Sequence, residues 1–148
     1  MSDKWLDRYF ELAKHVSQWS KDPSTKVGAV IVGQDKREIA VGFNGFPHGV
    51  EDHDYRLQNK HLKYIFTQHA ERNVLDNALF DVTGATIIAT KFPCSDCAKS
   101  IISKKIAKVI SPAPEGEKWE QDAEFSKTMF QEAGVSVIIV DENNLKKE

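Results

Sequence analysis

The chain has two cysteines in its 148 residues, Cys94 and Cys97, three positions apart behind Pro93, and a His69-Ala70-Glu71 run stands upstream of them. Both segments read as helix starts, with a strand-like run over 85–91 between them. To bring one imidazole and two thiols together, both helices must begin at the same edge of a sheet. That is where ligands bind in open α/β sheets, at the carboxyl ends of parallel strands.

Hydrophobic periodicity supplies the rest of the frame. Trp5, Leu6, Tyr9, Phe10, Ala13, Val16 and Trp19 recur at helical spacing, predicting an amphipathic helix over 3–20 whose stripe is core or subunit interface. Residues 27–32 and 37–43 read as a hairpin across the turn 33–36. The polar stretch 50–66 carries one short helix. Helix 68–79 follows, then strand 85–91, helix 95–104, strand 106–110, helix 118–133 and strand 135–140, with Gly134 as a helix stop. The charged tail from Asp141 is expected to fray. Strands alternating with helices run parallel through crossovers. The expectation is a three-layer α/β/α sandwich on a mixed five-stranded sheet, one domain over 1–148.

Composition narrows the class of function. A formal charge of −2 argues against a dedicated nucleic-acid binder. No apolar run is long enough to span a membrane, and the first residues have no signal-peptide core, so a cytoplasmic protein is expected. In that compartment two close cysteines are metal ligands or redox groups rather than a structural disulfide.

Two thiolates and an imidazole form a complement that zinc prefers, and three ligands leave one tetrahedral position open, as in catalytic sites. Zinc(II) with that set is neutral overall, which keeps it acidic enough to activate water near neutral pH. At a helix start both sulfurs can face one side, and the helix dipole favours thiolate. A carboxylate two residues from the histidine, in the first turn of a helix aimed end-on at the metal, is placed to move protons. Duller readings stay open beside these: a redox pair, a structural zinc using His53 or His61, and Glu71 as a plain helix-start carboxylate.

The pattern His69-x-Glu71 followed by Pro93-Cys94-x-x-Cys97 resembles the signature of the zinc cytidine and deoxycytidylate deaminases. The resemblance runs along nearly the whole chain. Ser20 to Ala29 and Gly42-Phe43-Asn44-Gly45-Phe46-Pro47 are similar to strand motifs of deoxycytidylate (dCMP) deaminases, as are Asn59-Lys60 and Lys63-Tyr64. It implies a cytidine deaminase-like fold, zinc on His69, Cys94 and Cys97, and Glu71 as proton shuttle. It also implies that Asn44 binds the sugar and the backbone at Ala70 meets the pyrimidine edge. The implied reaction is dCMP plus water to dUMP plus ammonia, in a homo-oligomer (dimer to hexamer) regulated by dCTP and dTTP.

This sequence departs from the family pattern at Phe43, where tyrosine is usual, at Arg72 and Val74 around Asn73, and in the loop 111–119. These departures bear on the phosphate and allosteric sites more than on deamination. Lys26, Arg56 and Lys60 are the candidate phosphate contacts; the alternative for each is a solvated surface charge. Asn44 has a competing role in the turn after Gly42. Other substrates (cytidine, dCTP, adenosine in tRNA) form the runner-up within enzymes. A non-catalytic, zinc-stabilised nucleotide-binding module is the reading outside them.

Overall fold

The computed structural model describes residues 2–141, so most of the tail expected to fray lies outside the described residues. Strands β1 (Gly28–Val32) and β2 (Ile39–Phe43) form the expected antiparallel hairpin, Gly28 opposite Phe43 and Val32 opposite Ile39. On its other side β1 pairs antiparallel with β3 (Thr86–Ala89), and β4 (Lys108–Ser111) and β5 (Ser136–Ile139) extend the sheet in parallel. The order is β2-β1-β3-β4-β5. Helices α5 (Ser95–Ser103) and α6 (Glu117–Ala133) make the two crossovers that parallel pairing requires.

All five residues of β1 are buried, as a strand covered on both faces must be. Its side chains alternate between two cores. Ala29 and Ile31 pack with Val74, Ile101 and Phe130 under α4 (Ala70–Asn77), α5 and α6. Val30 and Val32 pack with Phe10, Ala13 and Ile88 under α1 (Asp3–Ser17). The three-layer α/β/α sandwich on a mixed five-stranded sheet is therefore the architecture observed.

Two glycines let helices lie against strand backbone. A Cβ on Gly28 would stand 2.0 Å from the Ala13 carbonyl oxygen of α1, and one on Gly42 would stand 2.6 Å from the Val74 nitrogen of α4. Any side chain at Gly42 would lift α4 off the sheet. This close approach sets the height of the helix that carries His69 and Glu71.

Where one short helix was expected over 50–66, there are two, α2 (Asp54–Gln58) and α3 (Lys60–Phe66). Asn59 divides them: its extended backbone ends α2, and its side-chain oxygen accepts the Leu62 N–H at 3.1 Å to start α3. Helix α1 ends at Ser17, short of the expected 20, so Trp19 lies beyond it at 50% exposure, and Trp5 is 48% exposed. Phe10, Ala13 and Val16 form the buried face of the stripe. No helix among the described residues is long and apolar enough to cross a membrane.

Candidate metal centre and active-site cleft

The start of α4 is fixed by the hairpin next to it. Gly45 and Gln68 exchange backbone hydrogen bonds at 3.1 and 2.8 Å, and Asn73 Nδ2 donates to the carbonyls of Phe43 and Gln68 at 2.7 and 3.3 Å. His69 is the extended N-cap of α4, so its ring projects from the helix end. Cys94 holds the same position on α5, where its sulfur accepts the Cys97 N–H at 3.5 Å.

These two helix starts converge. His69 Nδ1 lies 3.4 Å from Cys94 Sγ and 3.3 Å from Cys97 Sγ, and all three ligand atoms fall within 4.8 Å of one another. The set grades from exposed His69 through half-buried Cys94 to buried Cys97, reaching from solvent into the protein. Glu71 lies in the first turn of α4 and is 4% exposed.

Proton affinities follow from the contacts. The hydrogen bond from Cys97, with further help from His69, lowers Cys94 to about 4 against the cost of burial. The same sulfur contact, together with burial, pushes Cys97 up. Protons and a dication with thiolate affinity compete for these two sulfurs, because a metal binds the thiolate and not the thiol. Contact with Cys94 raises His69 above its ordinary value, outweighing the partial desolvation of its ring. Burial raises the Glu71 carboxyl, while the Cys97 thiol and the His69 charge act the other way. One nitrogen and two sulfurs fit zinc.

The centre opens on a cleft of about 560 Å3, a volume suited to a small ligand. His69, Ala70, Glu71 and Cys94 line it on one side. Ala70 is fully buried at the first position of α4, and Asn44 is 6% exposed. Asn44 Oδ1 accepts the Val27 N–H at 2.8 Å, and Nδ2 donates to the Thr25 carbonyl at 2.9 Å. Its amide therefore holds the segment before β1 and also faces the cleft, where the second Nδ2 hydrogen is a donor.

The candidate phosphate residues part company. Lys60 lines the cleft and is exposed. Lys26 is exposed and is not among the lining residues. Arg56 donates to the Glu51 carbonyl at 3.1 Å and stacks on Phe66 at 4.6 Å, so its guanidinium has other partners.

Sequence reasoning missed two features of this cleft. Asp22 and Lys63 form an ion pair at 3.0 Å, both nearly buried, that ties the loop before β1 to α3. Burial works to raise Asp22, but N–H groups of Ser24 and Thr25 and the Lys63 ammonium win, holding it below the usual carboxylate range. The Asp22-Pro23-Ser24 turn was the available signal. Lys91 and Trp119 also line the cleft, with the Lys91 ammonium 4.0 Å from the centre of the Trp119 ring. No local pattern announces that pair, because its members lie on separate elements.

Residues 3–112 match the family model described as the cytidine and deoxycytidylate deaminase zinc-binding region. The chain is similar to an uncharacterized deaminase in the luxG 3′ region of Aliivibrio fischeri, with 44% identity over 93% of this chain and 94% of the relative. It is 34% identical to the deoxycytidylate deaminase of Homo sapiens over 90% of this chain and 78% of that one. Among solved structures, the cyanophage S-TIM5 dCMP deaminase in complex with dCMP and dUMP superposes with a TM-score of 0.75. Its identity is 26%, with 95% of this chain and 99% of that chain covered.

Proposed function

The chain belongs to the cytidine and deoxycytidylate deaminase family, and we propose that it hydrolyses dCMP to dUMP and ammonia. One observation carries the reading: three zinc-type donors meet at the wall of a nucleotide-sized cleft with a buried carboxylate beside them. The likeness to deoxycytidylate deaminases over nine-tenths of the chain supports dCMP over other cytosine substrates.

His69 and the sulfurs of Cys94 and Cys97 would hold the zinc. When bound, zinc supplies the Lewis acidity that makes water nucleophilic at neutral pH. Glu71 would take one proton from the attacking water and deliver it to N3 of the pyrimidine. It would then take a second proton from the hydroxyl added at C4 and pass it to the departing amino group, so that the C4 carbonyl forms as the C–N bond breaks and Glu71 ends as the carboxylate. Burial suits it to the role, because raising the proton affinity of a carboxylate makes it a stronger base for the proton it must accept. The Ala70 backbone faces the pyrimidine edge, and Asn44 gives its second Nδ2 hydrogen to the sugar. Lys26 is too far out on the surface to be favoured as a phosphate contact.

The same reading takes the enzyme to be one cytoplasmic deaminase domain that works as a homo-oligomer under dCTP and dTTP control. Exposed Tyr64, Ile65 and Trp19 support association, and the resemblance to deoxycytidylate deaminases supports the regulation. The test is ammonia release from zinc-loaded protein across cytosine, cytidine, deoxycytidine, CMP, dCMP, dCTP and adenosine, with and without dCTP and dTTP. A clear preference for dCMP is expected; a preference for adenosine or free cytidine overturns the substrate assignment.

A further inference from the structure

Beyond the zinc ligands and Glu71, four charged side chains line the cleft, Asp22, Lys60, Lys63 and Lys91, and together with Trp119 they bear on what kind of cytosine compound it accepts. Asp22 and Lys63 are paired and cancel. Glu71 leaves the neighbourhood of the metal with a carboxylate that repels an anionic ligand. Two cations, Lys60 and Lys91, are then left to receive a negative group. They differ in how well they are held. Lys60 is exposed on the first turn of α3, whereas Lys91 is half-buried between β3 and α5, and its ammonium lies 4.0 Å from the Trp119 ring centre. A cation fixed over an aromatic face loses less freedom when it pairs with an anion than one on a mobile stem.

The position of Trp119 is itself built. Along α6, Trp119, Asp122 and Ser126 follow one helix face at spacings of three and four. Asp122 accepts the N–H and the hydroxyl of Ser95 at 2.8 and 2.7 Å, and the Ser126 hydroxyl donates to the Pro93 carbonyl at 3.0 Å. The helix is therefore fastened to both sides of Cys94, and the next residue on the same face stands at the cleft rim beside Lys91.

We propose that Lys91, steadied by Trp119, is the specificity-determining residue that receives the phosphate of the nucleotide substrate and so separates dCMP from deoxycytidine. This rests on the deaminase reading above. It assigns the phosphate to a residue outside Lys26, Arg56 and Lys60, and it makes α6 part of the substrate site.

The experiment compares kcat/KM for dCMP and deoxycytidine in zinc-loaded wild type, Lys91→Met, Lys91→Arg, Trp119→Leu and Lys60→Met. Loss of a charge-assisted contact predicts a fall of about tenfold to a hundredfold in the dCMP-to-deoxycytidine ratio for Lys91→Met, carried mainly by KM. Lys91→Arg should recover most of the ratio, and Trp119→Leu should lose part of it. Equal losses on both substrates would assign Lys91 a structural role and overturn the proposal. So would a ratio that collapses in Lys60→Met but not in Lys91→Met. Should wild type deaminate neither compound, the deaminase reading fails by itself. The Lys91 assignment is then decided by dUMP and deoxyuridine binding, in which Lys91→Met must selectively weaken dUMP.

Discussion

Asp122 of α6 accepts two hydrogen bonds from Ser95, the first residue of α5, at 2.8 Å from the backbone N–H and 2.7 Å from the hydroxyl. A carboxylate on one helix thereby stabilises the start of the next, which is the helix that presents both sulfurs. Removing it leaves the Ser95 N–H without that acceptor and breaks one of the ties between α6 and the metal loop, the Ser126–Pro93 hydrogen bond remaining. Asp122→Ala should cost on the order of 2 kcal/mol in chemical denaturation. It should also weaken zinc retention measured against a competing chelator, whereas a purely surface role predicts no change in either.

Glu71 is buried beside the three zinc donors but is not one of them. Glu71→Gln keeps the size and removes the proton acceptor, so zinc content and melting temperature should stay close to wild type. Ammonia release should fall by roughly 10²- to 10⁴-fold. A variant with more than a tenth of wild-type kcat contradicts proton transfer through this side chain.

The metal ligands differ from Glu71 in what they take with them. Cys94→Ala and His69→Ala should each purify without stoichiometric zinc by elemental analysis. Because zinc binds the folded centre, chelation of the wild type should lower its stability. The loss is about 4 kcal/mol if free zinc stood a thousandfold above its dissociation constant. An unchanged melting temperature after complete metal removal would count against a centre that couples α4 to α5.

At Gly42 the helix backbone lies where a methyl group would go, 2.6 Å from the Val74 nitrogen and 2.8 Å from its Cα. Gly42→Ala must displace α4, at a cost of about 1–3 kcal/mol. Since α4 carries His69 and Glu71, the shift should reduce kcat and zinc affinity together, read by steady-state kinetics and chelator competition. A stable, fully active variant would mean that the helix can re-seat without disturbing the donors.

The Asp22–Lys63 pair gives a stability signal with a definite sign. The folded pKa of Asp22 is lowered, so its contribution is present above the unfolded value of about 3.9 and is lost as pH falls through the folded value. The stability gap between wild type and Asp22→Asn should be level from pH 7 to 5 and shrink below about 4. Urea denaturation at stepped pH measures it. A gap that grows on acidification would reverse the assignment.

Much of this protein is legible without coordinates because its signals are local. The period-2 and period-3.6 patterns mark the strands and helices, and parallel strands leave little choice but helical crossovers. Cys94 and Cys97 share one helix start, so their convergence follows from spacing alone. Asn59 was harder: the residue that caps α3 also ends α2, and a polar stretch with scattered aromatics does not reveal a shared cap.

Sequence by itself determined the donor set, because three residue types with metal affinity at helix starts restrict both the ion and the edge of the sheet that holds it. It also determined the layers, since burial periodicity is written along each element. The tertiary structure alone decided which charges the cleft keeps. Lys63 is neutralised by Asp22 across 41 positions of chain, while Lys91 meets the Trp119 ring from another element. Electrostatic and aromatic contacts depend on distance in space, and a linear chain does not state those distances until its helices are packed.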